Sequence, residues 1–156
     1  MNTATRVRFP SADWFRAIQA RMNDQEAKYR DLGYVDSRGV FHIEAAGGLP
    51  RDRYFALTFE LYGCVEVREI PAAELEGLDA DWIYSGSYAD WREMIANIRA
   101  HGRADADHTL NRLSLLKHPF RVHGADPMRV DLFHRQQASF QEFIDESASV
   151  DTEFEK

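Results

Sequence analysis

The side chains in this 156-residue chain with most chemistry to offer form three groups. The densest is the run HGRADADH, which brings His101, Asp105, Asp107 and His108 together within one turn-rich segment. Carboxylates and imidazoles at this spacing bind a divalent cation, or pair so that the acid tunes the imidazole for base work. The same short polar residues also make up ordinary links between helices, and that reading is favoured here. The second group is His118 and His123, which flank a short strand, with Glu60 and Glu66 on strands predicted beside each other. Inside an apolar cavity such groups would transfer protons; on a solvent face they would be inert. The third group is Tyr54, Tyr62, Tyr84 and Trp82, apolar rings whose polar tips could meet a ligand.

None of these groups sits in a recognisable catalytic frame. The chain has no G-x-x-x-x-G-K-[ST], G-x-G-x-x-G, G-x-S-x-G or H-E-x-x-H motif, and no Cys–His zinc spacing. No catalytic residue, metal ligand or cofactor is therefore assigned. Cys64, the one cysteine, excludes an internal disulfide and reads as a small buried hydrophobe among apolar neighbours. A net charge of −7 and a pI near 5.3 oppose both nucleic-acid binding and a polybasic membrane surface. The opening MNTATRVRFP lacks the apolar run of a signal peptide, and no stretch reaches the length of a membrane span. The expectation is a cytoplasmic protein without stable membrane insertion.

The elements that must position these groups are legible in outline. Residues 11 to 31 read as a helix capped by Ser11 and stopped by Gly33, with Trp14, Phe15, Ile18 and Met22 on one stripe. YVDSRGVFHIEA reads as a strand pair or a turn into a strand, with Asp36, Ser37 and Gly39 as turn residues. YFALTFELY is the clearest strand, with Phe55, Leu57, Phe59 and Leu61 on one face. CVEVREI follows as its hairpin partner, with Val65 and Val67 on one face, and ADWIYSG reads as a further strand. SYADWREMIANIRAHG is the strongest helix, with Ser87 and Asp90 as a capping pair, Gly102 as the stop, and an apolar stripe of Trp91, Met94, Ile95 and Ile98. A short helix at HTLNRLSLL, a strand through Phe120 and Val122, and a helix opened by Pro127 complete the order. In that last helix Val130, Phe133, Phe140 and Ile144 share one side. The corner at Gly124 is expected to need a positive φ, because strand and helix are only three residues apart. The tail DESASVDTEFEK is acidic and poor in aliphatics, which predicts a flexible segment. Together these elements make an α+β domain with a mostly antiparallel sheet.

The second half, DADWIYSGSYADWREMIANI followed by KHPFRVHGADPMRVDLF, resembles the sterol carrier protein type-2 family. The likeness runs from an Ala80–Asp81 strand start, through an amphipathic helix and a short intervening helix, to a strand ending at Gly124 before the final helix. The opening FPSADWFRAIQARMN is similar to the family's first helix. The chain departs from the family in having LKHPFRV, without a glycine, before the last strand. The resemblance implies a single bacterial-type domain over residues 9–146, with residues 147–156 as a flexible tail. Its fold would be a five-stranded, mostly antiparallel sheet covered by helices and enclosing an apolar cavity. It further implies a non-enzymatic carrier that binds or transfers a sterol, fatty acid or acyl-CoA-like lipid. Phe55, Leu57, Phe59, Trp82, Trp91, Met94, Ile95, Ile98, Phe120 and Phe133 would line the cavity or the core next to it. The final helix would act as its lid. Two alternatives stay open: a small isomerase, dehydratase or hydrolase using the His and Glu groups above, and an accessory or homodimerisation module.

Overall fold

The computed structural model describes residues 6–115 and 119–154. Its strands are β1 (Val7–Phe9), β2 (Ser37–Glu44), β3 (Arg53–Glu60), β4 (Gly63–Ile70), β5 (Trp82–Ser87), β6 (Arg121–His123) and β7 (Thr152–Phe154). Its α-helices are α1 (Ala12–Asn23), α2 (Glu26–Leu32), α3 (Tyr88–His101), α4 (Leu110–Leu113), α5 (Pro127–Arg135) and α6 (Gln137–Asp145). Five strands form one sheet in the order β4-β3-β2-β5-β6. The β2–β5 pair is parallel and the other three pairings are antiparallel, so the α+β, mostly antiparallel expectation holds.

Helix ends follow local chemistry. Ser11 accepts the Trp14 N–H at 3.0 Å, Ser87 accepts the Asp90 N–H at 3.2 Å, and Gly102 closes α3 in the left-handed conformation. Asp126 caps α5, with Pro127 in its first turn. The long first helix and the long last helix are each broken in two, at Asp24–Gln25 and at Gln136. Each break turns the apolar stripe. After the second one α6 buries Phe140, Phe143 and Ile144, while α5 buries only Phe133.

Three further expectations are corrected. Ser37 and Gly39 lie inside β2 rather than at a turn, and Gly39 is needed because the Trp82 indole occupies the space of a side chain there. Val65 faces solvent at 56% exposure, because a register shift after Thr58 pairs Phe59 with Cys64 and Thr58 with Glu66. That bulge turns Cys64 and Val67 inward instead. Gly124 does not have positive φ; a Cβ there would come within 2.8 Å of Val130 Cγ2 and 3.2 Å of the Asp81 carbonyl. Its requirement is for space, not for backbone freedom.

The acidic segment expected to be flexible is structured through Phe154. It makes a 3₁₀ turn and then β7, which pairs in parallel with β1, while Ser147, Val150 and Thr152 are buried. The Trp14 indole N–H donates to Thr152 Oγ1 at 3.0 Å, tying this end to α1.

Helices α1, α3, α5 and α6 bury the inner face of the sheet in one large core. Helix α1 also shields the exposed edge of β4. Gln19 and Asn23 donate to the Cys64 carbonyl at 2.9 and 2.8 Å, and the Cys64 N–H donates to Asn23 Oδ1 at 2.9 Å. Side chains thus satisfy backbone groups that could otherwise pair with another strand. The outer face carries a smaller cluster of Val40, Ala56, Ile70 and Leu78, to which the connection from β4 to β5 contributes Leu78.

Candidate functional site

All ten residues predicted to line a cavity fall in the large core, each at most 1% exposed. Strand β3 supplies Phe55, Leu57 and Phe59, because period-2 alternation turns these toward the helices. Helix α3 supplies Trp91, Met94, Ile95 and Ile98 at spacings that share one helical face. Trp82 comes from β5, Phe133 from α5, and Phe120 from the residue before β6.

Their rings touch in a continuous run. Trp82 lies 5.0 Å from Phe133 and 5.0 Å from Phe140, ring centre to ring centre. Phe133 stacks on Tyr84 at 5.3 Å, Tyr84 stacks on Phe120 at 5.0 Å, and Phe120 meets Trp91 edge-on at 5.3 Å. Gly86 makes room for Phe120, since a Cβ there would lie 2.5 Å from its ring. Phe9 and Phe143 join the core without having been singled out from the sequence, beside Tyr84 and Phe140, which were read there only as a polar tip and as part of a helical stripe. Phe9 belongs to a three-residue strand, and Phe143 lies beyond the helix break, off the stripe read from the sequence.

The polar tips in this interior are committed to the protein. Tyr84 O–H donates to the Leu110 carbonyl at 2.9 Å, Trp82 Nε1–H to Ser37 Oγ at 3.2 Å, and Trp91 Nε1–H to the His42 carbonyl at 3.1 Å. Burial raises the Tyr84 phenol far above its ordinary pKa and pushes the Cys64 thiol up to about 12, so both stay neutral at physiological pH. Ser147 Oγ is the one buried side-chain polar atom among the described residues without a partner. Among the described residues, the core cluster is made of uncharged side chains, with the buried Glu146 carboxylate meeting it at the Tyr29 hydroxyl. Tyr54 and Tyr62 lie elsewhere: Tyr54 stacks on His42 on the outer sheet face, and Tyr62 sits under Arg30.

The predicted polar groups do not converge. His108 bonds Asp105 at 2.7 Å and Glu93 at 3.0 Å, His101 bonds the Asn97 carbonyl, and Asp107 faces Arg112. No group of three His, Cys, Asp or Glu side chains among the described residues is placed to hold a metal ion. Asp105 and Glu93 raise the His108 pKa, the Asp105 hydrogen bond most, and the same bond draws Asp105 down to about 2. Glu60 and Glu66 are exposed on β3 and β4, and His118 lies outside the described residues. His123 is exposed on β6, but its Nε2 reaches the buried Ser85 hydroxyl.

Two arrangements were not anticipated. Glu146, 6% exposed, accepts from Tyr29 O–H at 2.7 Å, Lys28 at 2.8 Å, Gln25 at 2.9 Å and Arg21 at 3.3 Å. Burial alone would raise its pKa, but these donors outweigh it and hold the carboxyl below the usual range. This cluster ties α1 and α2 to the end of α6. The second is an open groove of about 980 Å³ on the β2–β3 hairpin, lined by Leu49, Arg51, Asp52, Tyr54, Ile70 and Pro71 among others. It does not coincide with the aromatic interior.

Comparison with known proteins supports the fold. No family model matches the chain, and no curated protein sequence does. Two solved structures do match. One is a conserved hypothetical protein from Thermus thermophilus, suggested to be a sterol carrier protein, with a TM-score of 0.61 and 14% identity over 94% of both chains. The other is sterol carrier protein 2, with a TM-score of 0.62 and 15% identity over 90% of this chain and 97% of that one. The chain thus has the fold that its second half resembles.

Proposed function

We propose that this protein binds a hydrophobic small molecule of the sterol, fatty-acid or acyl-CoA class between its sheet and helices, and hands it on without chemical change. The observation that carries this reading is the uncharged, aromatic-lined interior in a fold shared with two structures bearing the sterol carrier name. Buried apolar area is the main source of affinity for such ligands, at about 25 cal/mol per Å². The rings now fill the space against one another, so a ligand enters by displacing side chains.

Helix α5 is the element to move. It buries only Phe133, exposes Met128 at 80%, and is otherwise held by Arg129 reaching Asp79 at 2.6 Å and Asp81 at 2.8 Å. The exposed Arg129–Asp79 pair adds little stability, typically about 0–1 kcal/mol, which leaves the less exposed Asp81 contact as the main polar tie. In contrast α6 and α3 bury three or more large side chains each. The final-helix lid is therefore α5, with α6 as its fixed neighbour.

Native mass spectrometry of the freshly purified chain tests the reading, with added cholesterol, palmitate and palmitoyl-CoA as probes. The expected result is a one-to-one adduct with at least one probe, weakened by Phe133→Trp. No retained or added lipid across the set would overturn it.

A further inference from the structure

Ser85 sits on the outer face of the sheet with no exposed surface, and two imidazoles end on its hydroxyl. His42 Nδ1 and His123 Nε2 each lie 2.9 Å from Ser85 Oγ. On its far side His42 Nε2 lies 2.9 Å from Asp52 Oδ2, while Asp52 Oδ1 accepts the Ala45 N–H at 2.8 Å. The Tyr54 ring stacks on His42 at 4.3 Å. The Tyr54 phenol also bonds Asp52, and among the described residues the remaining charged groups facing this chain are Glu44 on β2 and Arg121 on β6, which pair with each other at 2.9 Å. From α3 the Trp91 indole N–H arrives at the His42 carbonyl, while Asp90 is held by Ser87.

The hydrogens can be counted. The Ala45 N–H, with a further pull from His42, holds Asp52 below the usual carboxylate range, so it is ionised and only accepts. His42 must then carry its hydrogen on Nε2. Neutral His42 therefore offers a lone pair at Nδ1, which takes the single hydrogen of Ser85. Ser85 Oγ in turn accepts from His123 Nε2–H. Every group is satisfied, and His123 Nδ1 is left free as a base.

One added proton costs no hydrogen bond. It stays on His123, or two hydrogens shift through Ser85 and the charge appears on His42 beside Asp52. A second proton makes both imidazoles donors, so the hydrogen of Ser85, which has no exposed surface, loses its acceptor, with one cation on each side of its oxygen. Orphaning a buried polar hydrogen and bringing like charges together both oppose that step. We propose that Asp52, His42, Ser85 and His123 form a proton-binding site that takes one proton with every hydrogen bond kept and a second only by releasing β6. Strand β6 is the element to yield, since it is an edge strand paired with β5 through only three residues. This site lies on the face of the sheet away from the aromatic interior and does not depend on what that interior binds.

Nitrogen-15 NMR of the whole chain, titrated from pH 8 to 4, tests it. The expected result is an Nε2–H tautomer for both imidazoles at pH 8, with two-step titration curves whose steps lie more than one pH unit apart. His123→Gln, whose amide can still donate to Ser85, should reduce His42 to one step; Ser85→Ala should leave both imidazoles with single steps. Amide exchange at Arg121–His123 should accelerate as the second step passes. Single-step curves in the unmodified chain, an Nδ1–H tautomer for His42 at pH 8, or unchanged β6 exchange across the second step would each overturn the proposal.

Discussion

Replacing Gly39 by alanine probes the closest contact in the core. Gly39 pairs with Trp82 across β2 and β5, and an added Cβ would collide with three carbon atoms of the indole. The indole cannot simply retreat. Phe41 at 5.4 Å and Phe133 and Phe140 at 5.0 Å each confine it, and its N–H is bonded to Ser37. Overpacking a well-filled core costs about 1–3 kcal/mol. Losing the Ser37 bond adds about 1 kcal/mol. Against these, alanine regains roughly 0.5–1 kcal/mol of backbone entropy relative to glycine in a strand. The net expectation is a loss of about 1–3.5 kcal/mol. With a urea slope of about 2 kcal/mol per molar, the midpoint should fall by about 0.5–1.7 M. Urea unfolding followed by tryptophan emission and far-ultraviolet dichroism measures this directly. Gly39→Ala combined with Trp82→Phe should cost about 1–2 kcal/mol less than the two single changes added together, because contacting residues couple. A midpoint within 0.3 M of the unmodified chain, inside the roughly 10–15% extrapolation error, would refute the reasoning.

Other expectations follow from single contacts. Gly124→Ala should lower stability by about 1–2 kcal/mol through the Val130 clash, and Val130→Ala in the same chain should recover part of it, as read by urea midpoints. Asn23→Ala removes the acceptor of the Cys64 N–H and one of the two donors to its carbonyl, and should cost about 1–3 kcal/mol, with faster amide exchange at Cys64. Glu146→Ala should cost about 2–3 kcal/mol at pH 7, where it removes a charged acceptor from a buried site. Because the folded Glu146 pKa is lowered, its contribution is present above the unfolded value near 4.3 and is lost as pH falls through the folded one. The penalty of the variant should therefore shrink below about pH 4. His108 and His123 should act in opposite directions. The raised His108 pKa contributes stability below about pH 6.5 that is lost as pH rises through its folded value. The His123 pKa is lowered by burial and then by Arg121 and His42, so its contribution is full above about pH 6.5 and is lost as pH falls. Thermal melts of His108→Asn and His123→Gln across pH 5–8 distinguish the two slopes.

The sequence by itself determined whatever acts within one helical turn or one strand. Ser11, the Ser87–Asp90 pair, Gly102 and Pro127 mark helix ends because a cap bonds backbone groups two or three residues away. Phe55, Leu57 and Phe59 declare their face because a strand alternates every residue, and α3 shows its stripe because a helix repeats every 3.6. Those two periods name seven residues that all reach the core. Only the tertiary structure decided which strands meet. The parallel pairing of β2 with β5 sets Gly39 beside Trp82 and His42 beside Ser85, positions 43 residues apart in the chain that no local period connects. The bulge that turns Val65 out and Val67 in depends on the register with β3, which a hairpin sequence leaves open. The acidic end becomes ordered because β7 finds β1 and Trp14 at the other end of the chain, a gain that composition cannot register. The division is physical: caps and periodicity are short-range backbone effects, whereas partner choice is fixed by the buried surface and hydrogen bonds shared between distant segments.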